Sequence, residues 1–223
     1  MDRVQVIELK ESILENNDQD AALLRDELKD KGVFYLNVMS SPGSGKTTTI
    51  LQILKRLSEK FRVGVMEADI DSSVDALKVQ EAGYPAVQLH TGGMCHLDAQ
   101  MSRQGMQGLP EDTQVVILEN VGNLVCPAEF DTGAVMNLVI LSVPEGDDKP
   151  LKYPLMFEKC QAAVINKIDA MPAFDFDLEK ASAAIRQRNP EMEIFPISAA
   201  SGEGVDALCE YLSGQIRKWL AAE

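Results

Sequence analysis

Long apolar runs are the clearest thing this sequence lacks. No stretch approaches the roughly 20 residues that a helix needs to cross a bilayer, so a helical membrane span is excluded. Cations are short as well. With 21 Lys and Arg against 35 Asp and Glu, the formal net charge is −14, and the clustered basic surface that binds phosphate backbones is missing, which argues against a nucleic-acid partner. An acidic field of this kind tolerates metal cations better. Cysteine is limited to positions 95, 126, 160 and 209, which in a cytoplasmic chain of this size favours free thiols or metal ligands over disulfides. Residues 1–32 hold no cysteine or histidine and so no Cys-rich or His-rich metal-binding tail. The first twenty residues are acidic, without a long apolar stretch and small-residue cleavage site. They do not read as an export signal, and a cytoplasmic location is expected.

What is present is ordinary for a folded chain. Hydrophobic residues at 45% and charged residues at 25% match globular averages, and 223 residues suffice for one α/β domain with a real core. Residues 1–32 read as a helical lead-in, with ELKESILENN as one segment and DAALLRDELKDKG as a second that ends on the C-cap Gly32. The domain proper is expected over 33–223.

That domain is organised around SSPGSGKTTT, Ser40 to Thr49, which follows the strand-like FYLNVM and precedes Ile50, Ile53, Leu54 and Leu57 at helical spacing. Strand, glycine-rich turn and helix together make a phosphate loop. Gly43 and Gly45 let backbone N–H groups curl around an anion, and Ser44 lies between them. Lys46 reaches the outer phosphates, and Thr47 offers a hydroxyl to Mg2+ with Thr48 beside it. Ser40 stands where a glycine is commonest, although the core GSGKT is intact. RVGVMEADI reads as a buried strand ending in acids, and Asp69 and Asp71 lie past its carboxyl end, where ligands gather on a parallel sheet. Asp69 is the expected Mg2+ carboxylate and Asp71 a candidate for orienting the attacking water. After QVVILEN, Glu119 and Gly122 stand where nucleotide switches place an acid and a glycine that sense the γ-phosphate.

Two further stretches carry chemistry. In TGGMCHLDAQ, Cys95 and His96 are adjacent after a Gly-Gly turn, and thiolate with neutral imidazole suits nickel and zinc. His90, at the end of the preceding strand, reads as packing or as a third contributor to that metal. Cys126 lies seven residues beyond Glu119, close enough to couple a metal to the nucleotide if the fold brings it near Cys95. Cys160 and Cys209 read as core. In QAAVINKID, Asn166, Lys167 and Asp169 choose the base. A carboxylate at Asp169 accepts from the N1 and exocyclic amino groups of guanine, and adenine offers no matching pair. In SAASGEG, Ser198 and Ala199 are expected to present backbone N–H groups to the guanine carbonyl.

GSGKT, the acids after the second strand, ENVGN, NKID and SAASG occur in the order of a guanine-nucleotide switch. With MCHLD and LENVGNLVCP, the chain closely resembles the HypB family, nickel-insertion GTPases of hydrogenase maturation in the SIMIBI class, from about residue 33 onward. The resemblance implies an α/β, three-layer P-loop NTPase fold with a mostly parallel sheet of about seven strands. It implies GTP, GDP and Mg2+ at the nucleotide site, with slow hydrolysis because no arginine finger is evident. It also implies nickel, with zinc as the alternative, on Cys95, His96 and Cys126 at the interface of a nucleotide-dependent homodimer. Implied partners are a small zinc-containing nickel metallochaperone and, directly or indirectly, the hydrogenase large subunit. Relatives with an N-terminal cysteine motif or histidine-rich stretch hold extra nickel there; residues 1–32 contain neither. The alternatives are an accessory GTPase for urease or a cobalamin enzyme, a metal-independent regulatory GTPase, and an ATP-dependent kinase, the last disfavoured by NKID.

Overall fold

The computed structural model describes residues 9–70 and 73–222. Seven strands form one sheet: β1 (Phe34–Ser40), β2 (Val63–Asp69), β3 (Ala86–His90), β4 (Val115–Glu119), β5 (Met136–Ser142), β6 (Ala162–Asn166) and β7 (Glu193–Pro196). Their spatial order is β3-β2-β4-β1-β5-β6-β7, and every pairing is parallel. The central strand β1 is buried at all seven positions, as a strand covered on both faces should be. Each strand is followed by a crossover, so the carboxyl ends share one edge. Because β1 leads to the phosphate loop, β2 and β4 to acids, and β6 to NKID, that edge collects the site.

Helices cover both faces. On one, α2 (Lys46–Leu57) and α9 (Val205–Ala221) pack on the even-numbered side chains of β1, with α3 (Val74–Glu81) beside them over β2 and β3. There Ile50, Ile53, Leu54, Leu57, Leu208, Leu212 and Ile216 meet Leu36, Val38 and Leu138. On the other, α1 (Leu9–Asp30) and α4 (Ala99–Met106) cover the β2–β4 side, while α7 (Pro154–Glu158) and α8 (Leu178–Arg188) cover the β5–β6 side. Cys160 and Cys209 are both buried, as expected.

Three local readings differ from the sequence-based ones. The lead-in is one helix of 22 residues rather than two, since nothing between Leu9 and Asp30 is a glycine or proline that would break it. It ends on left-handed Gly32 (φ 62°), with Val33 N–H donating to Leu28 O. It is tied to the rest of the chain by buried Leu24 and Leu28 and by Arg25, which donates to both carboxylate oxygens of Asp131 at 2.8 and 2.7 Å. KYPLMFEKC, read as one helix, starts later: α7 covers its middle, and its first residue, Lys152, ends a separate short helix, α6 (Lys149–Lys152). Tyr153 breaks them because Pro154 disfavours a helical conformation just before it. Helix α4 was not foreseen, although its N-cap is clear: the Asp98 carboxylate accepts from Met101 N–H at 2.7 Å. Between them lies α5 (Cys126–Glu129), a single turn after β4.

Candidate nucleotide site

The phosphate loop closes on itself through hydroxyls. Ser44 Oγ donates to Ser40 Oγ at 2.6 Å, and Lys46 Nζ donates to the same oxygen at 3.1 Å. Ser40, the one departure from the commonest motif, therefore holds the lysine at rest. Gly43 (φ 75°) and Gly45 (φ 92°) are both left-handed. A Cβ on Gly45 would lie 2.5 Å from Asn166 Nδ2, so glycine is required there for space as well as for backbone conformation.

Asn166 is the tie between loops. Its Nδ2 donates to Ser44 O at 2.9 Å and its Oδ1 accepts from Ala199 N–H at 3.0 Å. Lys167 is the one non-glycine residue with positive φ (63°) among the described residues, and its Nζ donates to Gly43 O at 2.7 Å. Strain of this kind persists where the surroundings over-determine it. NKID is thus locked onto the phosphate loop, with Asp169 exposed just beyond. The loop after β7 differs from expectation. Ala199 N–H is engaged by Asn166, and Ser198 N–H donates to Glu203 O at 3.0 Å. Both amides are used internally, so in this structure the loop holds Asn166 rather than presenting those N–H groups to a base.

A cavity of about 500 Å³ opens beside the phosphate loop, lined by Gly43, Lys46, Thr47, Thr48, Glu67, Asp69, Asp75, Lys78, Glu119 and Gly122 among others. Gly122 packs on Pro42, where a Cβ would come within 3.1 Å of the proline ring. Thr47 Oγ1 donates to Glu119 Oε1 at 3.0 Å, which joins the phosphate loop directly to the end of β4.

Glu67 is the site residue that sequence reasoning missed. It faces Glu119 across the β2–β4 pairing, and both are buried, at 3% and 5% exposure. Glu67 Oε1 and Glu119 Oε2 accept no hydrogen bond from any donor group as carboxylates. Two buried anions in contact are untenable, so the pair retains a proton. Burial first, and then the Glu119 charge, push Glu67 up to about 11. The signal was a lone acid inside an otherwise apolar strand, VGVMEAD. Together with the Thr47 hydroxyl, these oxygens form a hard-oxygen donor set that fits Mg2+. Asp69 lies at the exposed rim of the cavity, and Asp71 lies outside the described residues.

The thiols lie on the neighbouring loops. The neighbouring Cys95 thiol is the first cause raising the Cys126 thiol above its ordinary value. Asn123 Nδ2 approaches Cys126 Sγ at 3.6 Å. His96 Nδ1 is 3.9 Å from Cys95 Sγ, and its ring stacks on Phe130 at 3.5 Å between centroids. Burial lowers the His96 pKa against the opposing pull of Asp98 and Glu129, which favours the neutral ring. The fold thus makes neighbours of the two loops that carry the three expected ligands. Among the described residues, no three His, Cys, Asp or Glu groups converge into a ready-made metal position. His90 is exposed at the end of β3.

Comparison with known proteins decides the family. The nucleotide-binding domain model described as CobW/HypB/UreG matches residues 34–196. The hydrogenase maturation factor HypB of Escherichia coli strain K12 is 43% identical over 216 residues, covering 96% of this chain and 74% of that protein. The chain belongs to the HypB family. Two solved HypB structures superpose on it. The Helicobacter pylori protein in complex with nickel has a TM-score of 0.86 at 38% identity, covering 91% of this chain and 96% of that one. The Archaeoglobus fulgidus protein has a TM-score of 0.85 at 34% identity, covering 91% and 100%. The P-loop NTPase fold and the GTPase reading expected from the sequence are borne out by this HypB membership. No described helix is long and apolar enough to cross a membrane.

Proposed function

We propose that this HypB family member is a GTP-hydrolysing carrier that delivers nickel during [NiFe]-hydrogenase maturation and changes its hold on the metal with nucleotide state. The observation that carries this reading is one short path. Thr47, on the phosphate loop, donates to Glu119, and the segment that starts at Glu119 ends on Cys126, whose thiol is raised by the neighbouring Cys95. A group that meets the γ-phosphate is therefore covalently continuous with a metal ligand.

Lys46 and the loop amides neutralise phosphate charge, and Lys46 leaves Ser40 to do so. Thr47, Glu119 and Glu67 would hold Mg2+, with Asp69 at its rim, and the ion when bound supplies charge neutralisation across the outer phosphates. Asp169 reads the guanine edge from a loop that Asn166 pins to Ser44. Water attacks the γ-phosphate in line. Loss of the γ-phosphate frees the Glu119–Cys126 segment and lowers metal affinity.

Nickel, the cargo, sits on Cys95, His96 and Cys126. Since these do not make a three-ligand position by themselves, the site is completed across a two-fold axis by a second copy. Exposed apolar side chains flank the same mouth, Ile70, Val74 and Leu77 by the cavity and Met94 and Val125 beside the thiols, and they fit a homodimer that closes over nucleotide. The partners that supply and receive the metal are a small zinc-containing metallochaperone and the hydrogenase large subunit. Sedimentation with GDP and with a non-hydrolysable GTP analogue, with and without Ni2+, tests this: a dimer that the analogue favours supports it, and a monomer under all conditions overturns the shared metal site.

A further inference from the structure

The nucleotide cavity holds a second cation that none of the motifs accounts for. Lys78, on α3, lines the same cavity as Lys46, and these are its lysines; the acids around it are Glu67, Asp69, Asp75 and Glu119. In this structure Lys78 Nζ donates to Asp75 Oδ1 at 2.8 Å, one turn away on its own helix. That pair is half exposed, 52% and 41%, and exposed ion pairs at this spacing contribute little. Its release therefore costs little. The ammonium is also within electrostatic range of Glu119, which accepts from Thr47 of the phosphate loop, so Lys78 and the phosphate loop line one cavity from two sides.

Charge balance decides what it does there. Lys46 already serves the phosphate loop, and a triphosphate brings more negative charge than its Mg2+ removes. The cavity then becomes strongly anionic, and a half-exposed ion pair such as Lys78–Asp75 competes weakly with a terminal phosphate for the ammonium. We propose that Lys78 is the γ-phosphate-binding cation of this site, exchanging Asp75 for the terminal phosphate when GTP binds and keeping Asp75 when GDP binds. The proposal rests on the guanine-nucleotide reading above. It also gives α3 a role: the exposed Val74 and Leu77 lie on the helix that Lys78 draws towards the nucleotide, so an apolar surface is positioned by the phosphate that distinguishes the two states.

The test is equilibrium binding of GDP and of a non-hydrolysable GTP analogue, each with Mg2+, to wild type, Lys78→Ala, Lys78→Arg and Asp75→Asn. In Lys78→Ala the analogue-to-GDP affinity ratio should fall about tenfold, the scale of one partly exposed charged hydrogen bond, with GDP affinity kept. Lys78→Arg should restore most of the ratio. Asp75→Asn, which frees the ammonium without removing it, should raise the ratio, and it remains decisive if the alanine variant folds poorly. An unchanged ratio in either Lys78→Ala or Asp75→Asn overturns the proposal. Failure of the wild type to bind either guanine nucleotide would instead remove the functional reading itself, and this proposal with it.

Discussion

Replacing Glu67 by Gln should stabilise the nucleotide-free protein at neutral pH while weakening its grip on magnesium nucleotide. The carboxyl has an ordinary value of 4.5, and burial with Glu119 pushes it up to about 11 in the fold. Between those values the folded chain keeps a proton that the unfolded chain has lost. Stability therefore is highest below the lower value and falls as pH rises, by about 1.4 kcal/mol per pH unit for one proton. At pH 7 the retained proton costs on the order of 3 kcal/mol by the same relation. Glutamine keeps the shape and donates to Glu119 through its amide with nothing to titrate. Urea denaturation at pH 6 and pH 8, without Mg2+ or nucleotide, should show wild type losing about 2–3 kcal/mol more than the variant across that interval. Mg2+-dependent affinity for a GTP analogue should fall in the same variant, since the carboxyl that would give up its proton to hold the cation is gone. Equal pH slopes for the two proteins would refute the shared-proton argument.

Other substitutions probe the remaining links. Gly45→Ala puts a methyl group 2.5 Å from Asn166 Nδ2 at φ 92°, and should abolish nucleotide binding while circular dichroism shows the fold retained. Asn166→Ala strands the Ser44 carbonyl and the Ala199 amide, both in a buried setting. Chemical denaturation should report a loss of roughly 2–4 kcal/mol, and GTP and GDP affinity should fall together. Burial opposes ionisation of Asp131, but hydrogen bonds from Arg25 and the Gly133 amide prevail and hold its pKa below the usual range. That contribution is present above the ordinary carboxylate value and is lost as pH falls. Arg25→Ala should cost about 1 kcal/mol at pH 7, discounted for the partial exposure of the pair, and the deficit should shrink on acidification in thermal melts.

The strand ends and loops that carry the chemistry were legible because each motif announced its own backbone. GSGKT needs a strand before it and a helix after it, and NKID follows a continuous apolar run, so both fell at strand ends as read. What escaped depended on cross-strand neighbours. Glu67 looks like one acid of several in MEADID, and only the β2–β4 register sets it against Glu119 inside a dry pocket. The use of the Ser198 and Ala199 amides was equally invisible, because it depends on where Asn166 points. Ser40 read as a small defect, but the structure makes its hydroxyl the resting partner of Lys46. Helix boundaries failed for local reasons: nothing between Leu9 and Asp30 could break α1, and Pro154 set the start of α7 two residues past the first residue of the stretch that periodicity joined.

The central claim is that nucleotide state sets metal affinity through the Glu119–Cys126 segment. Equilibrium Ni2+ and Zn2+ binding, measured with GDP and with a non-hydrolysable GTP analogue on wild type, Cys95→Ala and Cys126→Ala, tests it most directly. The account predicts metal binding that both substitutions weaken and that differs between the two nucleotides. Equal affinity in both nucleotide states, or binding indifferent to the two thiols, would contradict it.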